Sequence, residues 1–154
     1  ICFFEASQPE FQTYVRNVVD NAKAFAERLL ARGFDLVTGG TDNHIVLIDL
    51  RNQRITGKEA ESLFERIGLT TNKNTIPGDP RSPFDPSGLR AGTPAVTTRG
   101  VREDGMRRIA DWMGDALEHR ADPDRLTRLR DEVRDFAQSY PPPGGLRRSD
   151  AEDS

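Results

Sequence analysis

The segment of residues 71–100 constrains the fold of this chain more than any other feature, because it is long and rich in residues that interrupt regular structure. It contains five prolines and four glycines, so special backbone angles rather than helical or strand ladders set its path. Irregular loops longer than about 12 to 15 residues are uncommon in a compact domain and are usually functional or disordered. Apolar residues along the segment can anchor it: Ile76, Phe84, Leu89 and Val96. We therefore predict an ordered, ligand-binding loop.

Arg90 is the side chain of this segment best suited to hold a ligand. It lies between Gly88 and Gly92, where little side-chain bulk would obstruct an approaching molecule. A planar guanidinium offers a fork of N–H donors that matches a carboxylate and stays charged at any relevant pH. The alternative is a structural arginine paired with an acid such as Asp85.

The composition indicates one small domain with no nucleic-acid or membrane partner. The 154 residues carry a formal net charge of -3 and a pI near 5.5, whereas nucleic-acid binding requires a basic patch. No apolar run approaches the length of a membrane span. The apolar run at residues 1–4 is too short for a signal peptide. Because the single cysteine, Cys2, excludes an internal disulfide, we expect a cytoplasmic location.

Histidine patterning does not favour a metal site. His44 follows Asp42 and Asn43, but a metal site needs more ligands than His44 and His119 supply. A catalytic histidine also needs a positioned partner. We expect His44 to be a satisfied structural residue at the start of a strand.

Helices and strands alternate along the chain. A capping box at Ser7 and Glu10 predicts a long amphipathic helix that ends at Gly33. Residues 34–37 and 44–50 are typical of strands. A second capping box, at Thr56 and Glu59, predicts a helix that ends at Gly68.

The remaining pattern predicts strand pairing near residues 69–72 and 88–92, and a third helix over residues 101–119. A fourth helix is predicted after Asp122, with Pro123 at its first position. The expected fold class is α+β, a small antiparallel sheet covered by helices. Residues 1–140 form the predicted domain and residues 141–154 a disordered tail.

Three groups of motifs in this chain resemble the C-terminal domain of serine hydroxymethyltransferase, a fold type I enzyme that depends on pyridoxal phosphate (PLP). The first runs through the long segment: NKN at 72–74, Pro77, DP at 79–80, SPF at 82–84, SG at 87–88, Arg90, GTPA at 92–95, Thr97 and RG at 99–100. The others are PEF at 9–11 with NAKA at 21–24, and RGFDLVTGGTDNH at 32–44. The resemblance covers residues 5–140 and implies the same α+β fold.

The resemblance also implies roles for particular residues. Arg90 falls at the position of the arginine that holds the substrate carboxylate. Asn74 falls at a position that contacts the pterin of folate, and an amide suits its mixed donor and acceptor edge. Ser82, Pro83 and Phe84 match a run that lies along the folate. Loop-stabilising roles remain open for Asn74 and for the 82–84 run.

The family uses PLP and tetrahydrofolate, but this chain lacks the family's cofactor-binding lysine context. Its three lysines, Lys23, Lys58 and Lys73, do not lie in that context, and no glycine-rich phosphate cradle follows a predicted strand. PLP is therefore not expected to bind this chain alone. The implied partners are an N-terminal PLP domain or a separate chain that carries it, serine or glycine, and folate, in a homo-oligomeric family. The alternatives are a non-catalytic carboxylate- or folate-binding module and an inert fragment.

Overall fold

A computed structural model describes residues 2–144. These residues form one antiparallel sheet with helices packed on one face, so the predicted α+β class is confirmed. In chain order the elements are α1 (Cys2–Ala6), α2 (Pro9–Ala31), β1 (Asp35–Leu36), β2 (Ile45–Asp49), a 3-10 turn (Arg51–Gln53), α3 (Gly57–Arg66), β3 (Asn72–Asn74), β4 (Gly88–Gly92), α4 (Pro94–Thr98), α5 (Glu103–Glu118) and α6 (Pro123–Gln138).

The sheet has the strand order β1-β2-β4-β3, and every neighbouring pair is antiparallel. Because side chains alternate along a strand, one face of the sheet carries Val46, Ile48 and Leu89, which are fully buried. Helices α2, α3, α5 and α6 contribute most of the remaining core, including Leu29, Phe64, Met113 and Leu129. Within residues 2–144, none of the helices that form the core packs on the opposite face of the sheet.

Helix α2 ends where the sequence predicts and begins differently. The Gly33 N–H bonds Leu30 O and the Phe34 N–H bonds Leu29 O, with Gly33 at φ +82°, which is a Schellman ending. The predicted capping box at Ser7 is wrong. Gln8 precedes the first helical residue, Pro9, without a side-chain cap, and the Ser7 hydroxyl instead donates to Phe4 O at the end of the short helix α1.

The other two predicted caps are confirmed. The Glu59 N–H donates to Thr56 Oγ1 at 3.1 Å, and the Thr56 N–H donates to Glu59 Oε2 at 2.8 Å. Asp122 accepts from the Asp124 and Arg125 N–H groups, both at 3.0 Å. These caps satisfy backbone donors that helix starts leave without intrahelical partners.

Strand β3 lies further along the chain than predicted. The Leu69 N–H still bonds Phe64 O as part of the ending of α3, so this N–H is not available to a strand ladder. Pairing begins only at Asn72. Residues 75–87 form the irregular part of the long segment, since Gly88 starts β4 and Pro94 starts the unpredicted helix α4.

Most of the predicted disordered tail, residues 145–154, lies outside the described residues. None of the helices formed by residues 2–144 is both long and apolar enough to cross a lipid bilayer.

Candidate functional site

The uncovered face of the sheet holds the candidate site. Arg90 on β4 lies opposite Leu47 of β2 and Asn72 of β3. Directly opposed residues of an antiparallel pair share a face, so these three side chains lie on the face away from the core. Arg90 and Asn72 are exposed, and Leu47 is half-buried. The geometry presents one arginine beside a partly apolar surface.

Arg90 forms no ion pair with any acid in residues 2–144. The alternative, an ion pair between Arg90 and Asp85, is not observed. Asp85 instead pairs with Arg81 at 3.4 Å. Asp49, on the same face as Arg90, is held by Arg51 through two Nε contacts of 3.0 Å. The side-chain hydrogen bond from Arg51 lowers the pKa of Asp49 below its ordinary value. The guanidinium of Arg90 therefore has its donors available for an external carboxylate.

The space beside Arg90 is more crowded at Gly88 than at Gly92. Gly88 and Gly92 flank it on β4 and carry no side chains, as the sequence indicates. However, a Cβ on Gly88 would overlap Ile76 Cγ2, so Ile76 fills the space over Gly88 and is itself 5% exposed. Gly92 is exposed. An approaching ligand therefore reaches Arg90 more freely from the Gly92 side.

Asn74 shares the open face with Arg90. It pairs with Gly88 across β3 and β4, two residues from the Asn72 position opposite Arg90. Its Nδ2 donates to Thr75 O at 2.7 Å, while its Oδ1 forms no hydrogen bond within the described part of the chain. Asn74 thus has both a local structural contact and an acceptor available to a ligand.

Asp79 organises the loop of residues 75–87. Its carboxylate accepts from the Ser87 N–H at 2.9 Å, the Ser87 hydroxyl at 2.7 Å, the Arg81 N–H at 3.0 Å and the Ile76 N–H at 3.4 Å. The hydrogen bond from the Ser87 N–H is the largest of the effects that lower the pKa of Asp79 to about 2. One ionised side chain therefore joins the beginning of the loop to its end.

Asp79→Asn is expected to destabilise the chain at neutral pH, because the amide nitrogen cannot accept the bonds that the carboxylate accepts. The folded-state pKa lies below the ordinary value of 3.8, so the stabilisation is complete above about pH 4 and is lost as the pH falls through about 2. Denaturant unfolding should show a stability gap between wild type and variant that closes over this range. Asp42→Asn, an exposed control, should show no such gap; a gap at Asp79 that is independent of pH would contradict the account.

Ser82, Pro83 and Phe84 lie in this loop and are exposed. Phe84 is 86% exposed, so the prediction that it anchors the segment is wrong. Ile76 and Leu89 are buried and Val96 packs partly against the core, as predicted. The Ser82 hydroxyl accepts from the Phe84 N–H at 3.2 Å. No hydrogen bond in residues 2–144 links this run to Asn74 or Arg90, whereas Asn74 and Arg90 share one face of the adjacent strands β3 and β4.

Sequence patterns did not assign a role to Asp79. The one local signal is Asp79 followed by Pro80. An aspartate in a turn commonly accepts from the N–H two residues later, here that of Arg81. The bonds to Ser87 had no local signal, because eight residues separate the two.

His44 lies just before β2, where its backbone carbonyl accepts from the Thr93 N–H. It lies at the start of a strand, as expected, but its imidazole is exposed and forms no hydrogen bond with the described residues. Within residues 2–144, no group of three or more histidine, cysteine, aspartate or glutamate side chains is placed to hold a metal ion.

Comparison with known proteins places this sequence in a family. The profile of the serine hydroxymethyltransferase family matches residues 1–113. Serine hydroxymethyltransferase 1 of Pseudomonas aeruginosa is 48% identical over 141 residues, which is 92% of this chain and 34% of that protein. The serine hydroxymethyltransferases of Acidothermus cellulolyticus and Halorhodospira halophila are 48% and 47% identical, over 94% and 92% of this chain and 35% and 34% of their own lengths.

The chain thus spans about a third of the length of these relatives. The family match covers most of the chain, including the strand that carries Arg90 and the loop held by Asp79. The chain belongs to the serine hydroxymethyltransferase family.

Proposed function

We propose that residues 1–140 are the small C-terminal domain of a serine hydroxymethyltransferase, and that Arg90 binds the carboxylate of serine or glycine. The observation that carries this proposal is an exposed arginine on the uncovered face of the sheet, without an acidic partner among residues 2–144. A carboxylate of a small amino acid matches the guanidinium fork in shape and charge.

The end of strand β3 and the loop of residues 75–87 supply the proposed folate contacts. Asn74 offers its free Oδ1, and Ser82, Pro83 and Phe84 offer an exposed polar and apolar surface. An 86% exposed phenyl ring on a loop tied by four hydrogen bonds to Asp79 is suited to bind an aromatic ligand.

The lysines of this chain do not fit a PLP site beside Arg90. Lys73 forms an ion pair with Glu61 at 3.0 Å. Lys23 and Lys58 are exposed on α2 and α3, whose buried residues pack on the opposite face of the sheet. The proposal therefore assigns PLP binding to residues outside this chain, on an N-terminal domain or a separate chain. The same proposal includes a cytoplasmic location and a homo-oligomeric state for the whole enzyme.

The proposal is tested with a fusion in which this chain replaces the matching C-terminal third of the Pseudomonas aeruginosa relative. The fusion is expected to convert serine to glycine with tetrahydrofolate, because the chain supplies the missing carboxylate and folate contacts. The remainder of that relative without this chain is the control and should be inactive. A correctly folded fusion that binds neither glycine nor folate would refute the proposal.

Asn74→Ala in this fusion is expected to slow the folate-dependent reaction about 2- to 12-fold, which corresponds to one neutral hydrogen bond of about 0.5 to 1.5 kcal/mol. Folate-independent cleavage of a β-hydroxy amino acid should change little, because the amide is proposed to contact the pterin and not the carboxylate. Parallel assays of both reactions measure the difference. Equal loss in both would show that the Nδ2 contact with Thr75 O, which holds the loop, is the important one.

A further inference from the structure

A cavity of about 260 Å³ lies on the other side of the sheet from Arg90. It is bounded by α5, α6, α4, the end of β4 and the segment that precedes β3. Its walls are mainly apolar and include Ala91, Val101, Met106, Trp112, Val133 and Phe136. Several of the residues that line the cavity are only half-buried, among them Ala91 and Phe136. The cavity is therefore reachable from solvent.

Thr71, which also lines this cavity, has an unsatisfied buried hydroxyl. The residue is 8% exposed, and its Oγ1 has no hydrogen-bond partner among residues 2–144. The other buried threonines all bond: Thr56 to the Glu59 N–H, Thr93 to Val18 O and Thr97 to Thr93 O. Buried polar atoms are normally paired. Within residues 2–144 three buried side-chain atoms have no partner, Asn21 Oδ1, Thr71 Oγ1 and Asp85 Oδ1, and of these residues only Thr71 lines the cavity.

The charged residue of the cavity wall is already engaged. Arg99 donates from Nε to Tyr140 O and from Nη2 to Ala137 O, both at 2.6 Å. These bonds tie its guanidinium to the end of α6. A neutral ligand therefore suits the cavity better than an anion.

We propose that this cavity binds a small, largely apolar neutral molecule, of the size of a substituted single aromatic ring, whose one polar group bonds the Thr71 hydroxyl. A cavity of about 150 Å³ with aliphatic and aromatic walls is sufficient for benzene, and this one is larger. The site does not depend on Arg90. Ala91 pairs with the core residue Val46 and the buried Thr71 lines the cavity, whereas Asn72 and Arg90 pair on the open face.

The test uses p-cresol and toluene, which differ by one hydroxyl, as probes of the chain itself. Both are expected to bind saturably and to raise the melting temperature through preferential binding to the folded state. Ring-current shifts in methyl NMR spectra should be confined to cavity residues such as Met106, Ile109 and Val133. Absence of saturable binding, or shifts elsewhere, would overturn the proposal.

Two variants examine the polar contact and the cavity volume. Thr71→Val should shift the ratio of the two dissociation constants about 2- to 12-fold in favour of toluene, the range for one neutral hydrogen bond. Thr13→Val, at an exposed threonine of α2 that does not line the cavity, is the control and should leave the ratio unchanged. An unchanged ratio in Thr71→Val would refute the proposed contact. Ala91→Leu fills the cavity and should abolish binding of both probes. If this variant fails to fold, the ratio of dissociation constants in Thr71→Val and the positions of the ring-current shifts still test the proposed site.

Discussion

Arg90→Lys in the fusion enzyme is expected to lower kcat/KM for serine by roughly 30- to 1000-fold, although the substitution preserves the charge. The lysine ammonium is a point charge and cannot reproduce the two parallel bonds of a guanidinium to a carboxylate. Loss of such a charge-assisted contact costs on the order of 2 to 4 kcal/mol, which converts to this change in rate. Steady-state kinetics with serine as the varied substrate measure the effect.

Arg128→Lys is the matched control for this substitution. Arg128 is exposed on α6, and like Arg90 it forms no ion pair with the acids of residues 2–144. Its replacement should leave kcat/KM unchanged. Near-normal serine turnover in Arg90→Lys would show that Arg90 does not hold the carboxylate.

Gly57→Ala is expected to lower the free energy of unfolding by about 2 kcal/mol or more, within the usual range for overpacking. A Cβ on Gly57 would overlap Gly88 O and lie 2.9 Å from Pro86 O. Both are backbone atoms, and Pro86 O accepts the Gly57 N–H at 2.7 Å, so neither can move without disturbing the start of β4. The better helix propensity of alanine, at most about 1 kcal/mol, does not offset this overlap.

Urea unfolding of Gly57→Ala beside Gly40→Ala measures this cost. No atom outside its chain neighbours lies within 4 Å of a Cβ placed on Gly40, so that variant should stay within about 0.5 kcal/mol of wild type. Equal stabilities for the two variants would show that α3 and β4 do not pack as closely as described. Because the shift would propagate to Gly88 and Ile76, Gly57→Ala should also weaken serine binding in the fusion.

Local signals predicted the parts of the fold that local bonds create. The Thr56 capping box, the Asp122 cap and the Gly33 ending each involve residues within a few positions of one another, and each is present. The Ser7 capping box was wrong because the short helix α1 uses the Ser7 hydroxyl at its own end. Residue spacing alone could not reveal that competing bond.

Non-local contacts determined what the sequence could not predict. The position of β3 depends on the ending of α3, which still uses Leu69. The sequence predicts that Phe84 anchors the long segment, yet Phe84 is exposed on a loop whose path is held by Asp79 and Ser87. The motifs placed Arg90 and Asn74 in one site, but the obstruction of Gly88 by Ile76 and the cavity beside Thr71 arise only from packing between distant segments.

A crystal structure of the fusion enzyme with bound glycine and a reduced folate tests the central claim most directly. The account predicts two parallel bonds of about 2.7 to 2.9 Å between the Arg90 guanidinium and the glycine carboxylate. It also predicts the pterin against Asn74 and the run of Ser82, Pro83 and Phe84. A carboxylate held by a different arginine, with Arg90 turned to solvent, would contradict the account.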